Sequence, residues 1–232
     1  MHKEIRMTTG YITKLKAIFA RLRWFLLALI VIVLEQLPTL WIRKGQPFGQ
    51  VLIITGILLL ITTVVFYFGK RLGLLGNKRV PEDEYRWLWI GLGLVSLFAV
   101  QIIGKMILVI EKGQQADTVN QSAILGVGMH PILLVTLVGL VAPIVEEIVF
   151  RGLLYDKLFG PKSYIGLMFS SFMFGLIHVP TDFGSWVIYG GMGLILGLVY
   201  RKTQKLEHVM LVHFLNNGIA LILIAFATKM IS

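Results

Sequence analysis

Long apolar runs, each broken by a short polar turn, set the pattern of this chain. The runs cover residues 24–42, 51–68, 88–110, 131–154, 163–178, 184–200 and 208–228. Half-buried strands would alternate apolar and polar residues with period two, and these runs do not. About 20 apolar residues, with a range of roughly 17–25, cross a bilayer core as a helix. The pattern therefore predicts an all-α, polytopic transmembrane bundle of about seven helices. The runs at 163–178 and 184–200 are short for that task. Residues 122–128 are expected either to extend the fourth helix or to add a re-entrant piece.

Ahead of the first run, Ile12, Leu15, Ile18, Phe19 and Leu22 recur at helical spacing among Lys14, Lys16, Arg21 and Arg23. That spacing predicts a basic amphipathic juxtamembrane segment over residues 1–23, lying on an anionic membrane surface. Residues 24–232 then read as a single transmembrane domain, with no Pro- or Ser-rich linker and no repeat. A cleaved signal peptide is not expected, because no small-residue cleavage site follows the first apolar run.

Composition agrees with a lipid-facing surface: 56% of the 232 residues are hydrophobic and 15% are charged, against about 25% charged in soluble domains. The net charge of +10 could signal nucleic acid, but the basic residues lie in short loops, where membrane orientation puts them. Lys70, Arg71, Arg86, Lys157, Lys162, Arg201, Lys202 and Lys205 fall on the same side as the basic N-terminus, whereas Arg43, Lys44, Lys112 and Lys229 fall opposite. The bias predicts an integral membrane protein, in a bacterial cell membrane, with a cytoplasmic N-terminus and an outer C-terminus. The lipid bilayer is the expected partner and nucleic acid is not. With no cysteine in the chain, thiolate nucleophiles and Cys-ligated zinc are excluded.

Ionisable groups at bilayer depth are costly and usually face a protein interior or a wetted cavity. Three sets stand out. Glu146, Glu147 and Arg151 lie late in the fourth run, Phe174 and His178 end the fifth, and His213, Asn216 and Asn217 lie early in the seventh. Glu147 and Arg151 are four apart and can pair along one helix face. Glu146 is turned from Glu147 by about 100°, which frees it to face a cavity. His213 and Asn217 share a face, Asn216 points elsewhere, and Phe174 sits one turn from His178 as an aromatic wall.

A carboxylate and an imidazole can activate a water, while a second imidazole and an amide stabilise an oxyanion. Alternatively, carboxylate and imidazoles can hold zinc, which polarises the water. Both routes lead to amide hydrolysis. The chain has no HExxH and no GxSxG motif, so the zincin and serine-hydrolase readings fail. Structural roles remain open: Glu147–Arg151 as an ion pair, the two histidines as bridges between helices, and Asn217 as interhelical glue. The glycines at 190, 191, 193 and 197 read as a packing face. Glu35 and Gln36, just before Pro38, mark a kink or a cavity wall. Gln101 and Lys105 share a face, with Lys105 snorkelling, and His130 is interfacial.

These three sets resemble the CPBP family of membrane proteases, also called the ABI family, which includes the type II CAAX prenyl endopeptidases and proteins linked to bacteriocin processing or self-immunity. The family pattern is Glu-Glu-x-x-x-Arg, Phe-x-x-x-His and His-x-x-x-Asn/Asp on separate transmembrane helices. It is met by Glu146, Glu147 and Arg151, by Phe174 and His178, and by His213 and Asn217. The resemblance covers roughly residues 131–225, the expected catalytic core of a CAAX type II prenyl endopeptidase-like bundle.

It implies an intramembrane endopeptidase. Glu146 would act as general base with His178 on the attacking water, and His213 and Asn217 would hold the oxyanion. Glu147, Arg151 and Phe174 would orient the site. The family is often classed as metalloprotease, in which case Glu146, His178 and His213 would hold zinc. The implied substrate is a membrane-associated peptide or protein, such as a bacteriocin-like or signalling peptide, rather than a prenylated protein. The alternative is a non-enzymatic bacteriocin self-immunity or peptide-binding protein. Counted from the loops, Glu146 and His213 lie near the basic side, so the site is expected to open there. His178 then lies too far from that side, unless its helix tilts or part of residues 151–162 forms an extra buried or surface helical segment.

Overall fold

In lipid, every backbone N–H and C=O must be paired within its own segment, so apolar runs of this length fold as helices. A computed structural model shows that architecture, describing residues 2–76, 81–114 and 116–231, with side chains described from position 19 to position 226. The helices are α1 (His2–Gln36), α2 (Phe48–Arg71), α3 (Arg86–Lys112), α4 (Val119–Gly126), α5 (Pro131–Lys157), α6 (Tyr164–Ile177), α7 (Phe183–Thr203) and α8 (Leu206–Ile231). No strand occurs among the described residues. The backbone of the expected juxtamembrane segment is continuous with α1, but its side chains up to position 18 lie outside the described ones.

Six helices are long and apolar enough to cross a membrane, counted among the described residues. The sequence predicted seven. The difference is α6, whose 14 residues reach about 21 Å at 1.5 Å per residue, short of a core of about 30 Å. The stretch at 122–128 belongs to the separate short helix α4. Large apolar side chains point outward, with Ile110 83% and Leu40 77% exposed, as a lipid-facing surface requires.

Glycines set the tightest contacts, because α7 packs against α3 on one face and α6 on another. A Cβ on Gly184 would lie 2.7 Å from the backbone N of Leu108 in α3, and one on Gly193 2.7 Å from the Ser171 carbonyl in α6. Neither contact tolerates a side chain, so the small face of α7 serves close helix approach.

α5 is not a uniform α-helix. Two π-helical stretches, Val135–Val141 and Ile148–Lys157, flank an α-helical segment, Ala142–Glu147. Such wide turns re-aim side chains and concentrate at functional sites. Residues Ile148, Val149, Phe150, Arg151, Gly152, Leu153, Leu154 and Tyr155 are all buried. The turn from α7 into α8 is buried as well, with Thr203 2% and Leu206 0% exposed. The loop after α2 covers it through Leu74 and Leu75, and Gly76 donates its N–H to Glu207. Glu146 and His213 therefore lie deeper than loop positions alone suggest. Residues 148–157 continue α5 as its buried end rather than forming a separate helical segment.

Candidate active site

The two carboxylates of α5 have different surroundings. Glu147 is fully buried, and its Oε1 accepts from Arg151 Nη1 at 3.2 Å and from His213 Nδ1 at 2.8 Å. Arg151, also fully buried, donates from Nη2 to the Gly193 carbonyl at 2.8 Å, and its guanidinium lies 4.6 Å from the Phe174 ring centre. This group ties α5, α6, α7 and α8 together. Phe174 thus serves Arg151 as well as His178. Glu146 has no cation against it: its Oε2 is enclosed without a hydrogen-bond partner and lies 4.0 Å from His213 Nε2.

His178 closes the C-terminus of α6. Its Nδ1 lies 2.7 Å from the Phe174 carbonyl, which can only accept, so Nδ1 carries the proton and Nε2 keeps its lone pair. The next residue, Val179, has φ 52°. A β-branched residue in that left-handed region is strained, and Pro180 follows it. The reversal holds His178 at the helix end. His213 is likewise fixed through Nδ1, against Glu147, which leaves Nε2 facing Glu146.

Asn217 donates from Nδ2 to the Val138 carbonyl at 2.9 Å and accepts from Asn216 Nδ2 at 3.1 Å. One N–H of its amide is left over. Asn216 does not point elsewhere, as the helical spacing suggested: it lines the same cavity and accepts from Gln101 Nε2 at 2.8 Å. Glu146, His178, His213 and Asn217 all line one cavity of about 500 Å³, within the usual range for ligand sites of about 300–1,000 Å³. Four groups from three helices meet there.

The cavity wall also contains Glu35 and Gln36, where α1 ends and a 3₁₀ turn begins around the buried Pro38. Both readings of that pair, kink and cavity wall, are met. Lys105 does not snorkel alone: it pairs with Asp117 at 2.7 Å at the cavity edge. His130 caps α5, accepting from Ile132 N–H. Thr39, Ile42, Lys105, Asp117 and Gln121 lie toward the bundle end remote from the basic loops. The cavity extends toward that end. Tyr189 lines the cavity beside α4; sequence reasoning did not single out Tyr189, because a tyrosine in an apolar run gives no signal of its partners.

The donor tautomers of His178 and His213 suit zinc, but the spacing does not. Among the described residues no three His, Asp or Glu side chains gather as a metal-holding group.

A polytopic helical bundle with carboxylate, imidazole and amide groups on one internal cavity has the groups that hydrolysis within a membrane would need. Residues 128–219 match the family described as type II CAAX prenyl endopeptidase Rce1-like, which supports a membrane protease of the CPBP family. It is 28% identical over 218 residues to the "Membrane-embedded CAAX protease MroQ" of Staphylococcus aureus (strain USA300), covering 85% of this chain and 87% of that protein. It is 29% identical over 140 residues to the "Putative membrane peptidase YdiL" of Bacillus subtilis (strain 168), covering 59% of this chain and 55% of that one. The "UPF0177 protein YaiF" of Lactococcus lactis subsp. lactis (strain IL1403) is 28% identical over 222 residues, 88% of this chain and 97% of that protein. No solved structure matches the chain.

Proposed function

We propose that the protein cleaves a peptide bond in a membrane-associated peptide or protein, using a water activated by Glu146 and His178. The observation that carries this reading is the meeting of Glu146, His178, His213 and Asn217 on one cavity inside an apolar bundle. In this reading Glu146 accepts a proton from the water while His178 Nε2 orients it. The oxygen adds to the scissile carbonyl carbon, and the carbonyl π electrons move onto oxygen. The free N–H of Asn217, and His213 Nε2 when protonated, donate to that oxyanion. Collapse breaks the C–N bond, and Glu146 returns the proton to the leaving amine. Glu147 offsets the charge that His213 then carries, and Arg151 holds Glu147 in place.

The charge bias supports a cytoplasmic N-terminus, which directs the cavity mouth to the outer half of the bilayer. A bacterial cell membrane fits the relatives' sources. Purified protein in lipid should cut a membrane-associated peptide, and Glu146→Ala and His178→Ala should each abolish cutting at unchanged folded yield. Full turnover in both variants would refute the reading.

A further inference from the structure

We propose that Tyr189 is the positioning residue of His178, and that α4 holds Tyr189 in place; the inference rests on His178 orienting the attacking water. His178 occupies the end of α6, where its own helix restrains it least. A single hydrogen bond, Nδ1–H to the Phe174 carbonyl, leaves the imidazole free to swing about that contact. What fixes its plane comes from another helix. The Tyr189 ring lies against the imidazole with centroids 4.4 Å apart and planes 13° apart, while Phe174 contacts it at 4.9 Å. With Nδ1 and the ring plane both set, the direction of Nε2 is set too.

The Tyr189 hydroxyl has partners on a third element. It bonds Thr118 Oγ1 at 2.8 Å and accepts from Asn120 Nδ2 at 3.3 Å. Thr118 is the N-cap of α4, where it accepts from Gln121 N–H. α4 covers the cavity through Asn120, Gln121 and Ile124. A phenylalanine would supply the stacking face alone. The phenol also ties the covering segment to the imidazole plane, so a substrate seated against α4 acts on the placement of His178.

The test uses purified full-length protein in lipid with a membrane-associated reporter peptide that the wild type cuts. Tyr189→Ala should lower kcat by up to about 10²-fold, the cost of a small misplacement of a working group. Tyr189→Phe keeps the ring and should hold kcat within about threefold, while raising KM severalfold as α4 is untethered. Thr118→Val should show the same KM effect. Wild-type kcat in Tyr189→Ala, or a Tyr189→Phe variant as slow as Tyr189→Ala, would overturn the proposal. Should Tyr189→Ala fail to fold, unchanged KM in both Tyr189→Phe and Thr118→Val would overturn it. Full activity in His178→Ala would instead overturn the site reading itself, so the two failures are distinguishable.

Discussion

Replacing Arg151 by methionine separates a structural ion pair from a catalytic one. Arg151 and Glu147 are both fully buried, and the guanidinium also satisfies the Gly193 carbonyl and covers Phe174. Methionine fills much of the volume but leaves a buried carboxylate without its cation. Breaking a buried pair from one side costs about 3–5 kcal/mol. At roughly 2–4 °C per kcal/mol for a chain of this size, the melting temperature should fall by roughly 6–20 °C. Lysine should recover only part, because one ammonium cannot serve Glu147 and Gly193 and also stack on Phe174. The double variant Glu147→Leu/Arg151→Met removes both charges and should return to within about 1–2 kcal/mol of wild type. It should still be inactive, since His213 Nδ1 has lost its acceptor. Tryptophan fluorescence during thermal unfolding, together with turnover, reads both effects. An Arg151→Met protein that melts with the wild type, or a double variant no more stable than the single, would refute the reasoning.

Other outcomes follow from the same geometry. Asn217→Ala should lower kcat by about 10²–10³-fold, as loss of one oxyanion donor does; a change in KM alone would contradict that role. Val179→Gly should raise stability by about 1 kcal/mol, the relief of left-handed strain less the added freedom of the unfolded chain, and a lower melting temperature would refute it. Burial alone would raise the Asp182 carboxyl, but hydrogen bonds from Lys112, Ser185 and Thr181 outweigh it and hold the group well below the usual carboxylate range. A depressed folded pKa stabilises fully above the unfolded value, near 3.9, and less as pH falls below it. The stability gap between wild type and Asp182→Asn should therefore be constant above about pH 5 and narrow below about pH 4. Exhaustive chelation of pure, active protein should leave turnover intact; loss that added zinc restores would revive a metal-assisted step.

Much of the site was legible because the bilayer makes idle charges expensive. Glu146, Glu147, His178 and His213 stood out against apolar runs, and helical spacing paired Glu147 with Arg151 as found at 3.2 Å. What the sequence hid was depth and partnership. Leu74, in the loop after α2, packs at Gly152 beside Leu206, and no local pattern encodes that contact. The hydrogen bond from His213 to Glu147 spans helices 66 residues apart in sequence. The role of Tyr189 became visible only when the cavity it lines was seen whole.

Glu146, whose buried Oε2 has no hydrogen-bond partner on the cavity wall, is the group on which water activation turns. The most direct measurement is the single-turnover rate of Glu146→Gln on a membrane-associated peptide that the wild type cuts. The amide keeps the shape and removes the base, so the rate should fall by at least about 10²–10⁴-fold, with folded yield and peptide binding unchanged. Cleavage at the wild-type rate would contradict the mechanism outright.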